Sequence, residues 1–200
     1  MKDLVQKQLT QSIATMQAVL NDPHIADILI SIGQLTATAM QSGHKLMVAG
    51  NGGSAADAQH LVAEFVVRLS VNRPALRAIA LTTDSSILTA CGNDFGFDRI
   101  FSRQIEALGQ PGDVLLGIST SGNSPNILCA LEQAKKQNLA TIGFTGAGGG
   151  RMRELCDHIV IIPSKVTMNI QESHLALEHI FCMVVERFLF GMDFDKPRTR

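Results

Sequence analysis

Apolar residues recur at three- and four-residue spacings from about Lys2 to Leu20 and again from about Ile25 to Gln41, the period of amphipathic helices. Asn21-Asp22-Pro23 divides the two, and Pro23 suits the first turn of the second helix, where a missing N–H costs nothing. Beyond Gly43 the pattern changes. Short apolar runs at Lys45–Ala49, Ala78–Leu81, Val114–Ile118, Thr141–Phe144 and His158–Ile162 are aliphatic or β-branched and little broken by polar residues, as strands buried on both faces of a parallel sheet are. Helical segments near Ala55–Arg68, Ser85–Cys91, Asp98–Leu108, Pro125–Lys136 and Gly150–Glu154 separate them, and a last helix runs from about Asn169 to Phe190. The alternation predicts an α/β fold: a doubly wound five-stranded parallel sheet flanked by helices, with N-terminal helices and a long C-terminal helix. No repeat, low-complexity tract or linker breaks residues 1–200, which are read as a single domain.

Composition narrows the function classes. A formal net charge of -1 and a pI near 6.6 give no field for nucleic acid or an anionic membrane. Hydrophobic content of 46% against 18% charged is rich for a soluble monomer, so some apolar surface is expected to be buried between subunits. Cys91, Cys129, Cys156 and Cys182 lie far apart with no CxxC pair, which predicts free thiols in a reducing cytosol rather than a disulfide or zinc-ribbon scaffold. The start of the chain lacks a signal-peptide core and no run is long enough to span a bilayer, so a cytoplasmic protein is expected.

In open α/β sheets ligands bind beyond the carboxyl ends of the strands, so the segments after each run carry the candidate chemistry. After the third run stands Ser119-Thr120-Ser121-Gly122-Asn123-Ser124, followed by Pro125 at a helix start. Its hydroxyls, together with unpaired N–H groups and the positive end of that helix, suit an anion such as phosphate; a plain loop with Ser124 as N-cap is the simpler alternative. After the first run, Gly50-Asn51-Gly52-Gly53-Ser54-Ala55 formally matches the G-x-G-x-x-A dinucleotide pattern. The acidic residue that pattern expects is missing where the second strand ends, so tight strand–helix packing or approach of Asn51 and the backbone to a ligand are the other readings.

His60 and Glu64 share a helix face four residues apart, and Gln171 and His179 sit on the last helix. If those helices pass close together, the four could supply a general base or a zinc site; otherwise the pair is a solvated surface pair. His174 and Glu178 read as surface or subunit contacts. Asn93-Asp94 reads as a turn that could present polar groups to a ligand, and Arg68, Asn72 and Arg73 as solvated surface, with charge for a phosphate as the alternative.

The joint set resembles a known family. Ala49 to His60 followed by Glu64, then Gly92-Asn93-Asp94-Phe95-Gly96-Phe97, Gly112-Asp113-Val114, Gly117 to Ser124, and Ile170-Gln171-Glu172 with His179 are similar to the bacterial sedoheptulose-7-phosphate isomerases, or phosphoheptose isomerases, of the sugar isomerase (SIS) superfamily. The resemblance runs to about Phe190. It implies a homotetramer with active sites at subunit interfaces, residues 1–42 packed in its core, and conversion of sedoheptulose 7-phosphate to D-glycero-D-manno-heptose 7-phosphate for lipopolysaccharide or other surface glycans. Carried over by position, Glu64 is the base and His179 its acid/base partner; Ser119, Thr120, Ser121 and Ser124 hold the phosphate. Asn51, Gly52, Gly53, Asn93, Asp94 and Gln171 meet the sugar, and His60, Glu64, Gln171 and His179 match a zinc site of some relatives. Asn169 stands where many relatives have arginine, which removes a charge that Arg68 could replace. A non-catalytic SIS module, such as relatives that bind the bacterial replication initiator, is the competing class. In that group the glutamate and late histidine are replaced, so Glu64 and His179 favour catalysis. A sugar-phosphate sensor that reads DNA would need an added helix-turn-helix, which the sequence lacks.

Overall fold

The computed structural model describes residues 1–146 and 148–191. Five parallel strands, β1 (Leu46–Gly50), β2 (Ala78–Ala80), β3 (Val114–Ser119), β4 (Ala140–Thr145) and β5 (His158–Ile161), form one sheet in the order β2-β1-β3-β4-β5. The chain steps outward from β1 to β2, then returns past β1 to β3, and the winding direction reverses there. The crevice at such a reversal, between the carboxyl ends of β1 and β3, is where ligands of doubly wound sheets bind.

Eight helices are described: α1 (Lys2–Asn21), α2 (Pro23–Gln41), α3 (Gly53–Val66), α4 (Ser85–Asp94), α5 (Ser102–Leu108), α6 (Pro125–Lys136), α7 (Met152–Leu155) and α8 (Thr167–Phe190). Leu46, Val48, Val114, Leu116, Ile118, Ile142 and Phe144 pack with Leu29 and Ile32 of α2, Leu61 and Phe65 of α3, and Leu177 and Phe181 of α8. On the opposite face Met47, Ala49 and Leu115 pack with Ile105 of α5, Ile127 and Leu131 of α6 and Met152 of α7. Both faces are covered, which is why every residue of β1 and β3 is buried and their runs read as uninterrupted apolar stretches.

The structure revises several boundaries. The stretch expected as one helix over Asp98–Leu108 is a 3-10 turn (Phe97–Arg99) followed by α5, broken where Ile100 and Phe101 turn into the core. α4, started by the Asp84 carboxylate accepting from the Ile87 N–H, continues through Asp94, so Asn93 and Asp94 end a helix rather than form a turn.

Three polar residues expected at the surface are buried. His174 and Glu178 are fully enclosed on α8, and Arg73 is paired with Glu186 inside the protein. α8 runs along the core, and its enclosed positions recur every three and one residues from Asn169 to Glu186. His174, Glu178 and Glu186 share that stripe with Ile170, Leu177, Phe181 and Val185.

α1 contrasts with the rest. Only Thr15 and Val19 of its twenty residues are buried, while Leu4, Val5, Leu9, Ile13 and Leu20 are each more than half exposed. It is tied to α8 by Asn169, whose side chain accepts from Gln8 Nε2 at 3.0 Å and reaches Thr15 Oγ1 at 3.4 Å. Asn169 therefore faces α1.

Candidate active site

Two groups of side chains gather in separate places. The first is at the winding reversal. β3 delivers Ser119 to the sheet end, and the turn that follows folds its hydroxyls together: Ser119 Oγ lies 2.8 Å from Ser124 Oγ and 3.4 Å from Ser121 Oγ. Ser124 occupies the N-cap position of α6, but its side chain makes no capping bond, so its hydroxyl is not committed to the helix. The turn requires Gly122, whose φ is +67° and where a Cβ would collide with the Gly149 carbonyl. The loop after β4 braces it from outside: Gly146 N–H donates to the Thr120 carbonyl at 3.1 Å, and Met152 N–H to the Gly122 carbonyl at 3.1 Å.

Across the crevice, the glycine loop after β1 presents Asn51, Gly52 and Gly53. Gly52 has a φ of +56° with nothing near its absent side chain, which leaves the backbone open to an approaching ligand. Asn51 and Asn126 exchange both amide hydrogen bonds at 2.8 Å, joining this loop to α6. Asn126 carried no sequence signal of its own. Gln171, at the head of α8, lies over the same loop, its Nε2 2.6 Å from where a Cβ on Gly53 would stand.

The second group forms between α3 and α8, which run side by side in the same direction. His60 Nε2 and His179 Nε2 are 2.8 Å apart, and the Glu64 carboxylate is 3.6 Å from His60 Nε2. One ligand atom from each of the three lies within 4.8 Å of the others. Two imidazole nitrogens facing a carboxylate at this spacing can share a proton or accept a divalent ion, and the donor types fit zinc with a coordination position left open. Gln171, the fourth donor that the resemblance implies, is directed at Gly53 instead.

The two groups are set apart along α3. α3 leads away from the carboxyl end of β1, and Glu64 lies about 16 Å along its axis from Gly53 at 1.5 Å per residue. The carbonyl of the adjacent Phe65 accepts from Leu76 N–H, just before the start of β2. The Glu64 backbone therefore lies toward the amino end of β2, while Gln59, beside His60, reaches the Thr82 carbonyl beyond that strand's carboxyl end. Asn93 and Asp94 are on the exposed end of α4, where Asn93 Nδ2 donates to Asp94 Oδ1 at 2.8 Å. A concavity of about 750 Å³ lined by Asp22, His24, Arg153 and Lys165 lies elsewhere, between the start of α2 and the end of β5.

Behind the second group the interior is acidic. Burial, reinforced by the neighbouring Asp57 charge, pushes the Glu178 carboxyl up to about 8, and neither of its oxygens has a hydrogen-bond partner among the described residues. Burial pushes His174 down to about 4, against the pull of its 3.2 Å contact with the Thr145 carbonyl. The four cysteines are free, and burial drives Cys156 and Cys182 up to about 12, which makes them inert.

Comparison with known proteins places this geometry. Residues 10–146 match the SIS domain family. The chain is 47% identical to the phosphoheptose isomerase of Aneurinibacillus thermoaerophilus over 97% of its own length and 98% of the relative's. It is 51% identical to that of Burkholderia pseudomallei over 92% and 95%. The structure of the phosphoheptose isomerase from Neisseria gonorrhoeae superposes with a TM-score of 0.87 at 38% identity, covering 92% of this chain and 98% of that one. The chain belongs to the SIS domain family and, within it, to the phosphoheptose isomerases.

Proposed function

We propose that this chain, as a single SIS domain, isomerises sedoheptulose 7-phosphate to D-glycero-D-manno-heptose 7-phosphate. The observation that carries the reading is the convergence of Glu64 with His60 and His179 on two neighbouring helices, in a chain that also builds a hydroxyl turn for phosphate. Ser119, Thr120, Ser121 and Ser124 with the start of α6 hold the phosphate, and Asn51, Gly52, Gly53, Asn93, Asp94 and Gln171 meet the sugar. Glu64 takes the proton from C1 of the ketose and returns it to C2 of the enediolate. His179 gives a proton to O2 and receives one from O1, so the substrate gains and loses nothing overall. Incubation with sedoheptulose 7-phosphate should give an aldose C1 signal by NMR; no aldose at high enzyme concentration would sink the assignment.

The two ends of this substrate are met by two separate groups of side chains. From C1 to phosphorus an extended seven-carbon phosphate spans about 10 Å, at roughly 1.2 Å per bond of extended chain. About 16 Å of helix axis separates Gly53, across the crevice from the phosphate turn, from Glu64. We therefore propose that the turn of one copy faces the Glu64–His179 pair of another within a homotetramer, with the exposed stripe of α1 and residues 1–42 buried in the assembly. Complementation tests this. Chains carrying Glu64→Gln and chains carrying Ser119→Ala with Ser124→Ala should each be inactive, and should recover turnover when dissociated and reassembled together. No recovery from well-formed mixed oligomers would refute the shared site.

His60, Glu64 and His179 are the residues that would hold zinc. The chemistry the ion supplies when bound is Lewis-acid polarisation of the substrate's carbonyl oxygen. Protein purified without added metal is expected to carry zinc, and chelation should lower turnover; turnover indifferent to chelation would remove zinc from the reaction. Four free cysteines agree with work in the cytoplasm, and no helix among the described residues is long and apolar enough to cross a membrane.

A further inference from the structure

Glu64 stands in the last turn of α3, where carbonyls lack helical partners and helices fray. No glycine follows to turn the chain; the C-cap is Val67. The end is held instead by Arg73, whose side chain is 1% exposed. Its Nη2 donates to the Glu64 carbonyl at 2.6 Å, and its Nη1 to the carbonyls of Phe65 at 2.7 Å and Pro74 at 3.0 Å. Its Nε donates to Glu186 Oε1 at 2.7 Å. Glu186 is fully buried on α8, two turns beyond His179.

A single planar group thus ties the last turn of α3, at Glu64, to α8 two turns beyond His179. Lysine could not do this, because its ammonium is a point charge without the fork that serves three directions at once. Stability alone is a poor reason for the arrangement. A buried ion pair can often be exchanged for apolar side chains without loss, and here Glu186 Oε2 has no partner among the described residues. What the guanidinium supplies is geometry.

We propose that Arg73 is a positioning residue for the isomerisation. By clamping the Glu64 and Phe65 carbonyls to Glu186 it fixes the rotation of the last turn of α3, and with it the aim of the Glu64 carboxylate relative to His179. The inference rests on Glu64 being the base.

The test uses the full chain, turning over sedoheptulose 7-phosphate, with kcat and KM measured separately. Arg73→Lys should lower kcat by about 10–100-fold, the scale of a misplaced catalytic group, while KM stays within about threefold. The paired change Arg73→Leu with Glu186→Leu should restore the parental melting temperature and leave kcat low. Parental kcat in that pair overturns the proposal. Should the Arg73 variants fail to fold, Glu186→Leu, which removes the acceptor that holds Arg73 Nε, must show a kcat loss at unchanged KM; parental kcat there also overturns it. Glu64→Gln is measured alongside. If it stays active the base assignment has failed, whereas an inactive Glu64→Gln beside a fully active double leucine variant defeats the positioning role alone.

Discussion

Glu64→Gln should fold, bind sugar phosphate and lose turnover by about 10²–10⁴-fold, the usual worth of a positioned general base. The substitution keeps shape and one acceptor oxygen but cannot take up a carbon-bound proton. Glu64 is partly buried, with a side-chain exposure of 18%, so the amide has room and the fold has little reason to fail. Binding should survive because the phosphate turn belongs, in the proposed assembly, to a different copy. Equilibrium binding of the ketose phosphate beside single-turnover kinetics separates the two effects. Near-parental turnover would remove Glu64 from the chemistry.

Glu178→Gln should stabilise the protein at alkaline pH. The carboxyl is raised to about 8 in the folded state against 4.5 for the ordinary side chain, so unfolding between those values releases a proton. Stability contributed by this group is therefore fully present below about pH 4.5, falls as pH rises, and is lost above 8. At about 1.4 kcal/mol per pH unit the cost by pH 8 is on the order of 3–5 kcal/mol. His174 acts in the opposite sense: its folded value near 4 makes the protein lose stability as pH falls from about 6.5 to 4. A glutamine at position 178 removes the alkaline loss and offers a donor toward the unpartnered Asp57 Oδ2. Melting curves from pH 5 to 9 should converge at the acid end and separate by roughly 10 °C at pH 8–9, at about 2–4 °C per kcal/mol for a chain of this length. Parallel curves would show that Glu178 is not held neutral.

Much of the fold was legible because a parallel sheet covered on both faces writes itself as short unbroken apolar runs, and all five strands fell on such runs. The hydroxyl turn and the glycine loop were legible for a related reason: the ends of those runs say where to look. Convergence of His60 and His179 was not, since nothing local reports which helices lie side by side. The burial of His174, Glu178 and Glu186 could have been found. They keep step with Ile170, Leu177, Phe181 and Val185, and the phase of the helix outweighs the polarity of single residues. Arg73 gave no such signal, because its partners are backbone carbonyls that any sequence would provide. The separation of Glu64 from the glycine loop follows from α3 leading away from the carboxyl end of β1, which counting residues along that helix would have disclosed.

The sparse packing of α1 on its own chain has a consequence in mass action. A helix with two enclosed side chains out of twenty gains little from its own protomer, and helices in proteins owe most of their stability to tertiary packing of an apolar face. If other copies hold it in place, the concentration of the chain becomes a ligand in its own right, and dilution acts like withdrawal of an activator. The Gln8 and Thr15 contacts to Asn169 would carry that loss to the head of α8, two residues from Gln171. Specific activity should then decline on dilution, following the same midpoint as dissociation.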